Sequence, residues 1–332
     1  MLSYIFRRLL LMIPTLLCIS AVIFIIIQLP PGDYLETYIS ELRASGEQVS
    51  LERVAFMREE YGLDQPVLSQ YFFWLSGILH GDFGYSFEYN QPVLDVIGER
   101  LPLNVLLNLT TLCFIYIVSF PIAFYSAINQ YSIGDYTFSL LGFLGLATPN
   151  FLLALVLLWL ANAWLGVSVG GLMAPEYIDA PWSWAKIGSV LTHLGVPVLV
   201  IGTSGTASMI RRLRANLLDE LQKQYVVTGL AKGLPRWRLL LKYPVRMSLN
   251  PFIADIGTIL PSVISGSSLV AVVMSLQTLG PLLVRSLQSQ DMYLAGTIVM
   301  LEAFLVVLGV LVSDLMLAWL DPRIRLQGGL RR

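Results

Sequence analysis

Six long apolar runs limit what this chain can fold into. They cover about Leu9–Leu29, Leu103–Ile128, Phe138–Leu165, Ile187–Ile210, Pro251–Met274 and Leu294–Leu320. Each is long enough to cross the hydrocarbon core of a bilayer as a helix, which takes about 20 residues. No water reaches the backbone there, so each run must satisfy its own hydrogen bonds, as a helix does. Composition agrees: 56% of the 332 residues are hydrophobic and 13% charged, against roughly 25% charged in soluble domains. The expectation is an all-α integral membrane protein with six transmembrane helices. The first run follows Arg7-Arg8 as a secretory signal would, but it exceeds the ~7–15 residues of a signal's apolar core and no A-x-A site follows. It is expected to remain as the first span. The fourth run is the weakest, interrupted by Gly188, Gly195, Pro197, Gly202 and Gly205.

Lys and Arg set the orientation, because they accumulate on the cytoplasmic side. With the N-terminus inside, 15 of the 21 fall inside: Arg7, Arg8, nine between 211 and 250, and Arg323, Arg325, Arg331 and Arg332. Both termini are therefore expected in the cytoplasm. The organisation reads as a first span over 1–30, an external loop domain over 31–100, a core over 101–322 with a cytoplasmic loop at 211–250, and a cytoplasmic tail over 323–332. The external loop carries twelve Asp or Glu against four Arg. Val54, Met57 and Tyr61 share one helical face, so part of it is expected to be helical. A second outer loop holds Trp182 and Trp184, a residue type that sits at the headgroup level.

Nothing in the chain looks like an enzyme's machinery. There is no G-x-x-x-x-G-K-[ST] loop to cradle nucleotide phosphates. Cys18 and Cys113 lie in apolar runs, and His80 and His193 are isolated, so neither a redox pair nor a metal set is indicated. No feature points to nucleic acid.

The loop 211–250 carries nine basic and two acidic residues. Retention of positive charge on the inside, with binding of anionic lipid, accounts for the charge. It does not account for the pattern "QYVVTGLAKGLPRW". Gly229 and Gly233 lie four apart and Pro235 follows. Glycines at this spacing loosen a helix and let another backbone come close. A short helix with a bared face, projecting into the cytoplasm, suits docking into a groove on another protein.

This segment resembles the cytoplasmic loop of ATP-binding-cassette importer permeases, within the dipeptide/oligopeptide/nickel permease family, first-subunit type. Tyr225, Val226, Thr228, Ala231, Lys232, Gly233 and Leu234 match its pattern, whereas Gly229 and Leu230 replace the usual Ala-Arg. The resemblance extends along the chain: "IIIQLPPGD" after the first span, "YGLDQPVLSQYFFWLSGILHGDFGYSF" in the external loop, "QPVLDVIGERLPLNVLL" before the second span, "ATPNFLLALVLL" in the third, and "SDLMLAWLDPRIR" at the end.

The resemblance implies the type I importer permease fold in the inner (cytoplasmic) membrane of a prokaryote. It also implies a second homologous permease subunit, two ATPase subunits that hold ATP and magnesium, and an external solute-binding protein. This chain would bind no cofactor. Thr228, Gly229, Ala231, Lys232, Gly233, Leu234, Pro235, Arg236 and Trp237 would form a coupling helix seated on an ATPase. Lys232, Arg236 and Arg238 would pair with acidic groups there or face lipid headgroups. Among intramembrane carboxylates, Asp255 and Asp314 lie near inner ends of spans and Glu302 lies deeper. Glu302 is the candidate for the translocation path, with Thr203 and Ser204 from "GTSGTAS" and Ser265 and Ser267 from "SVISGSS". These small-residue stretches allow close helix approach.

The solute stays open at this level. After the fifth span the family's acid, Phe and Pro-Gly are replaced by Ala271, Met274 and Gln277-Thr278. "LLKYPVRMSLNPF" and "SQDMYLAG" resemble a branch linked to oligosaccharide uptake. A peptide importer is the main reading and an oligosaccharide importer the alternative. A secondary transporter or channel would need an ion pathway that three scattered carboxylates do not make.

Overall fold

A computed structural model describes residues 2–29, 65–86, 88–166, 169–178 and 180–320. The face expected at Val54, Met57 and Tyr61, and the tail 323–332, lie outside the described residues. The described chain is almost entirely helical. Three helices are long and apolar enough to cross a membrane unbroken: 4–28, 93–128 (including a short preceding helix) and 292–319. Three further pairs pass the same test only as bent pairs, which makes up to six spans.

The bends correct three of the expected spans, and their causes are local. The third expected span is two helices, α5 (Ile133–Ala147) and α6 (Asn150–Leu160), meeting at 103°. Pro149 forces Thr148 out of the helical region, to φ −88°, ψ 119°. The fourth is α7 (Trp184–His193) and α8 (Gly195–Leu221), bent by 40°. Pro197 has no N–H for the carbonyl of His193. Here α8 runs eleven residues beyond the expected end at Ile210. The fifth is broken by 46° near Asp255, between α11 (Pro244–Ala254) and α12 (Ile256–Val273). A broken span must find other partners for the freed carbonyls. The Tyr116 hydroxyl donates to the Phe252 carbonyl at 2.9 Å, and the Ser313 hydroxyl to that of Ile253 at 3.0 Å.

The chain divides into two compact units. The first comprises 1–9, 104–277 and 306–332. It is organised around α8, which packs on α5, α6, α11 and α12. Small residues set the approach distances: a Cβ at Gly202 would lie 2.6 Å from the Phe114 ring, and one at Gly205 2.6 Å from Ile115 Cδ1. Both partners lie on α4 (Leu101–Ile128). The small-residue stretch at 202–208 thus serves packing within this chain.

The second unit comprises 10–103 and 278–305. It holds most of α1 (Leu2–Gln28), α2 (Val67–His80), a two-stranded antiparallel hairpin of β1 (Tyr85–Ser86) and β2 (Gln91–Pro92), and α3 (Val93–Gly98). Returning to it from the C-terminal side are α13 (Leu279–Gln288) and the first half of α14 (Met292–Leu320). Its core is Val93, Val96, Ile97, Leu279, Leu282, Leu294 and Ile298. Asp291, fully buried, ties the hairpin down. Its carboxylate accepts from the Ser86 hydroxyl at 2.6 Å and the Glu88 N–H at 3.3 Å, and it caps α14 through the Leu294 N–H at 3.1 Å.

Candidate docking corner and intramembrane polar residues

Beyond α8 the basic loop folds as helix, turn and helix: α9 (Gln224–Ala231) and α10 (Arg236–Lys242). The expected single coupling helix over 229–237 is thus the corner between two helices. Gly233 adopts φ +74°, the left-handed conformation that ends helices and suits glycine. Its N–H donates to the Leu230 carbonyl at 2.9 Å, and that of Leu234 to the Gly229 carbonyl at 3.2 Å. Pro235 then starts α10, where its missing N–H costs nothing.

The two glycines do different work. Gly233 is exposed, with nothing within 4 Å of where a Cβ would stand. Gly229 is buried, and a Cβ there would overlap Leu239 Cδ1. It brings α10 onto α9 and is not bared for a partner, as the spacing alone suggested. Thr228, Ala231, Lys232, Gly233, Leu234, Pro235, Arg236 and Trp237 are all exposed. Val226, Leu239 and Leu240 form the inner face. Val227, Leu230 and Trp237 face outward at 56%, 51% and 60% exposure. Lys232 and Arg236 have no ion-pair partner among the described residues. Where α8 hands over to α9, the Tyr225 hydroxyl donates to the Glu220 carboxylate. Burial, aided by that carboxylate, pushes the Tyr225 phenol above its usual range, so it remains a donor.

The intramembrane carboxylates separate into two kinds. Asp314 pairs with Arg8 at 2.8 Å and Asp255 with Arg212 at 3.2 Å. Both are ties between segments near the ends of spans. Glu302, half-buried on α14, has no partner among the described residues. Of the other path candidates, Thr203 donates to the Leu199 carbonyl at 2.6 Å and Ser267 to that of Ile264 at 2.7 Å, so both hydroxyl protons are engaged within their own helices. Ser204 is half-buried on α8. The side chain of Ser265 lies outside the described residues. No hydrogen bond joins any two of these five among the described residues.

Two features were missed from the sequence. Arg214 on α8 grips Asp135 on α5 in a two-pronged pair at 2.8 and 2.7 Å. Asp135 also accepts from the Tyr131 N–H, while its own N–H donates to Ser132. The spacing S-x-x-D at 132–135 was the available signal. The second feature is a stripe on α4. Asn104, Asn108, Thr111 and Ser119 follow helical spacing and are each less than 5% exposed, and each has a side-chain polar atom without a hydrogen-bond partner. Thr206 of α8 is in the same condition. Among the described residues no cluster of His, Cys, Asp or Glu could hold a metal.

Comparison with known proteins accords with a membrane protein of several apolar spans. Residues 119–326 match the family described as the inner membrane component of binding-protein-dependent transport systems, and residues 1–108 match the N-terminal part of such components. The oligopeptide transport system permease protein AppB of Bacillus subtilis is 35% identical over 98% of this chain and 99% of its own length. The oligopeptide transport system permease protein OppB of Haemophilus influenzae is 30% identical over 98% of this chain and its own full length. The dipeptide transport system permease protein DppB of Escherichia coli K12 is 29% identical over 98% and 99%. A match across nearly the whole chain, onto a membrane component with its own N-terminal part, makes this protein a member of the inner-membrane permease family of binding-protein-dependent transport systems, a transport subunit and not an enzyme.

Proposed function

We propose that this chain forms half of the translocation path of an ATP-driven peptide importer, with both termini in the cytoplasm. A second homologous permease forms the other half, two ATPases holding ATP and magnesium dock inside, and an external binding protein delivers the solute. The carrying observation is the exposed apolar corner of Leu230, Leu234 and Trp237, flanked by exposed Lys232 and Arg236, between α9 and α10. Apolar side chains in an otherwise basic loop suit a protein groove better than water or headgroups. The printed names of the three relatives above are oligopeptide or dipeptide permeases and support peptide over oligosaccharide.

The coupling route follows from the ties already described. A 27-residue helix is about 40 Å long. Arg214–Asp135 fastens α8 to α5, and Arg212–Asp255 fastens it to the break before α12. Movement of the corner by an ATPase would carry these elements together, as a rigid-body transition. The α4 stripe supplies uncharged donors and acceptors for water or solute when the path opens, because amides left dry and unpaired in a span cost several kcal/mol.

The test is Gly233→Trp. It should abolish solute uptake in membrane vesicles while the chain still inserts, since only the left-handed backbone and not a packed neighbour opposes the side chain. Normal uptake would sink the docking role.

A further inference from the structure

At the other end of α8 lies a cavity of about 400 Å³. Its floor and walls come from α6, from the segment 170–178 and from the end of α12 with the turn after it. Leu158, Met173, Ile178, Val273 and Met274 make it apolar. The polar lining is limited to His193, Ser275, Gln277 and backbone.

The cavity is built. The Gly171 N–H donates to the Met274 carbonyl at 2.8 Å, and the Leu172 N–H to Gln277 Oε1 at 3.0 Å. The Ala174 N–H donates to Ser189 at 2.9 Å, and the Lys186 ammonium to the carbonyls of Ile178 and Ala180 at 3.3 and 2.7 Å. Five hydrogen bonds thus hold the 171–178 wall and Ala180 beside it. Gly171 adopts φ +79°, so this wall turns in the left-handed conformation that favours glycine.

We infer that this cavity receives an apolar side chain of the transported solute, which makes it a size-selective subsite in the permease itself. The inference rests on the peptide reading above and goes beyond it. Pockets of about 300–1,000 Å³, apolar with a few placed polar groups, are the usual form of an organic-ligand site. Gln277 gives its oxygen to Leu172 and keeps its NH2 to donate. His193 gives its Nδ1–H to the Ser189 carbonyl at 2.8 Å, because a carbonyl can only accept. Its Nε2 therefore remains an acceptor when the ring is neutral. One donor and one acceptor beside an apolar hole match a peptide unit and its side chain. Among the described residues no Asp, Glu, Lys or Arg lines the cavity, and the His193 imidazole is the one aromatic ring there. It therefore offers no fixed charge to a free terminus, and a single imidazole is too little to hold a metal ion or to stack and hydrogen-bond the rings of a sugar.

The experiment uses the transporter recovered with this chain, in proteoliposomes with its binding protein. The probes are tetrapeptides Ala-Ala-X-Ala with X as Gly, Leu, Phe or Trp. Ile178→Trp fills the cavity from an exposed position with little risk to folding, and Val273→Trp fills it from the opposite wall. Each variant should lower uptake of the Phe and Trp peptides about tenfold relative to the Gly peptide. The binding protein is unchanged, so its own preference cancels in the ratio. Wild-type ratios in both variants would overturn the subsite while leaving a peptide importer standing. An equal loss for all four peptides would assign the cavity to a subunit or lipid contact and also overturn it. Uptake of no peptide by the wild type would overturn the peptide reading and the subsite together.

Discussion

Two turns in the same unit are built alike and face opposite ways. After α9 the bonds Gly233 N–H to Leu230 and Leu234 N–H to Gly229 close the helix, with Gly233 left-handed. After α12 the equivalent bonds run from Ser275 to Val272 and from Leu276 to Ala271, with Ser275 left-handed at φ +53°. Around Gly233 the large apolar side chains Leu230 and Trp237 face out. Around Ser275, Ala271, Met274 and Leu276 are buried to within 2%. One motif therefore makes an exposed apolar corner and, elsewhere, a wall for a cavity. The motif ends a helix, and the surroundings decide what the end is for. The serine also shows where strain is tolerated. A left-handed L-residue costs about 1–2 kcal/mol, and at Ser275 the bonds from Gly171 and Leu172 to the same turn hold it in place.

The strongest way to break the comparison is to make the outward corner polar. Leu230→Glu with Trp237→Glu should cut uptake at least ~100-fold, since each anchor of a docked interface contributes about 2 kcal/mol or more. Thermal stability in detergent should stay near the wild type, because neither side chain is buried. A fall in stability equal to that of a core mutant would mean the corner packs within this chain.

Next comes the tie that fastens α8 to α5. Arg214→Ala leaves the Asp135 carboxylate, 3% exposed, without its partner. Breaking a buried pair costs about 3–5 kcal/mol, and denaturant unfolding in mixed micelles should register a loss near the lower end. Uptake should fall as well, because α5 is no longer held to α8. Full stability would show the pair to be dispensable.

Gly229→Val tests whether the corner's inner face is as tightly packed as the structure has it. Its Cβ would overlap Leu239, and overpacking costs about 1–3 kcal/mol. A second change, Leu239→Ala, should recover part of the loss, which a merely conformational effect of the valine would not allow.

The smallest effects sharpen the comparison by exchange. Gly233→Ala should destabilise by about 1 kcal/mol, and Ser275→Gly should stabilise by roughly half to one. If both are neutral, the two turns carry no strain and the ties to the second are incidental.

Much of this was legible in the chain. The spans and the basic loop follow from hydropathy and charge, which act through the solvent and need no partner. The corner at 229–235 was legible in part. Gly-Leu-Pro announces a turn, but the spacing of Gly229 and Gly233 suggested one bared face. Leu239 decides otherwise, because it reaches back over Gly229 from the next helix. The breaks at Pro149 and Pro197 were written as prolines inside apolar runs, and hydropathy is blind to them. Ser204 and Glu302 remain unengaged polar groups in spans among the described residues. Thr203 and Ser267 turned inward to their own backbones, a choice that sequence does not record.

What the sequence determined by itself is what depends on residues within a turn or two of each other: helix, span, cap, and the side on which positive charge collects. Tertiary structure alone decided what joins distant residues. It paired Asp135 with Arg214, set Ser313 against the broken end of α11, and drew 170–178 over the end of α12 to wall an open cavity. Hydropathy and capping are local free energies, so neighbours suffice to specify them. Ion pairs, close glycine contacts and cavities depend on the distance between chain segments, and only the packed fold determines that distance.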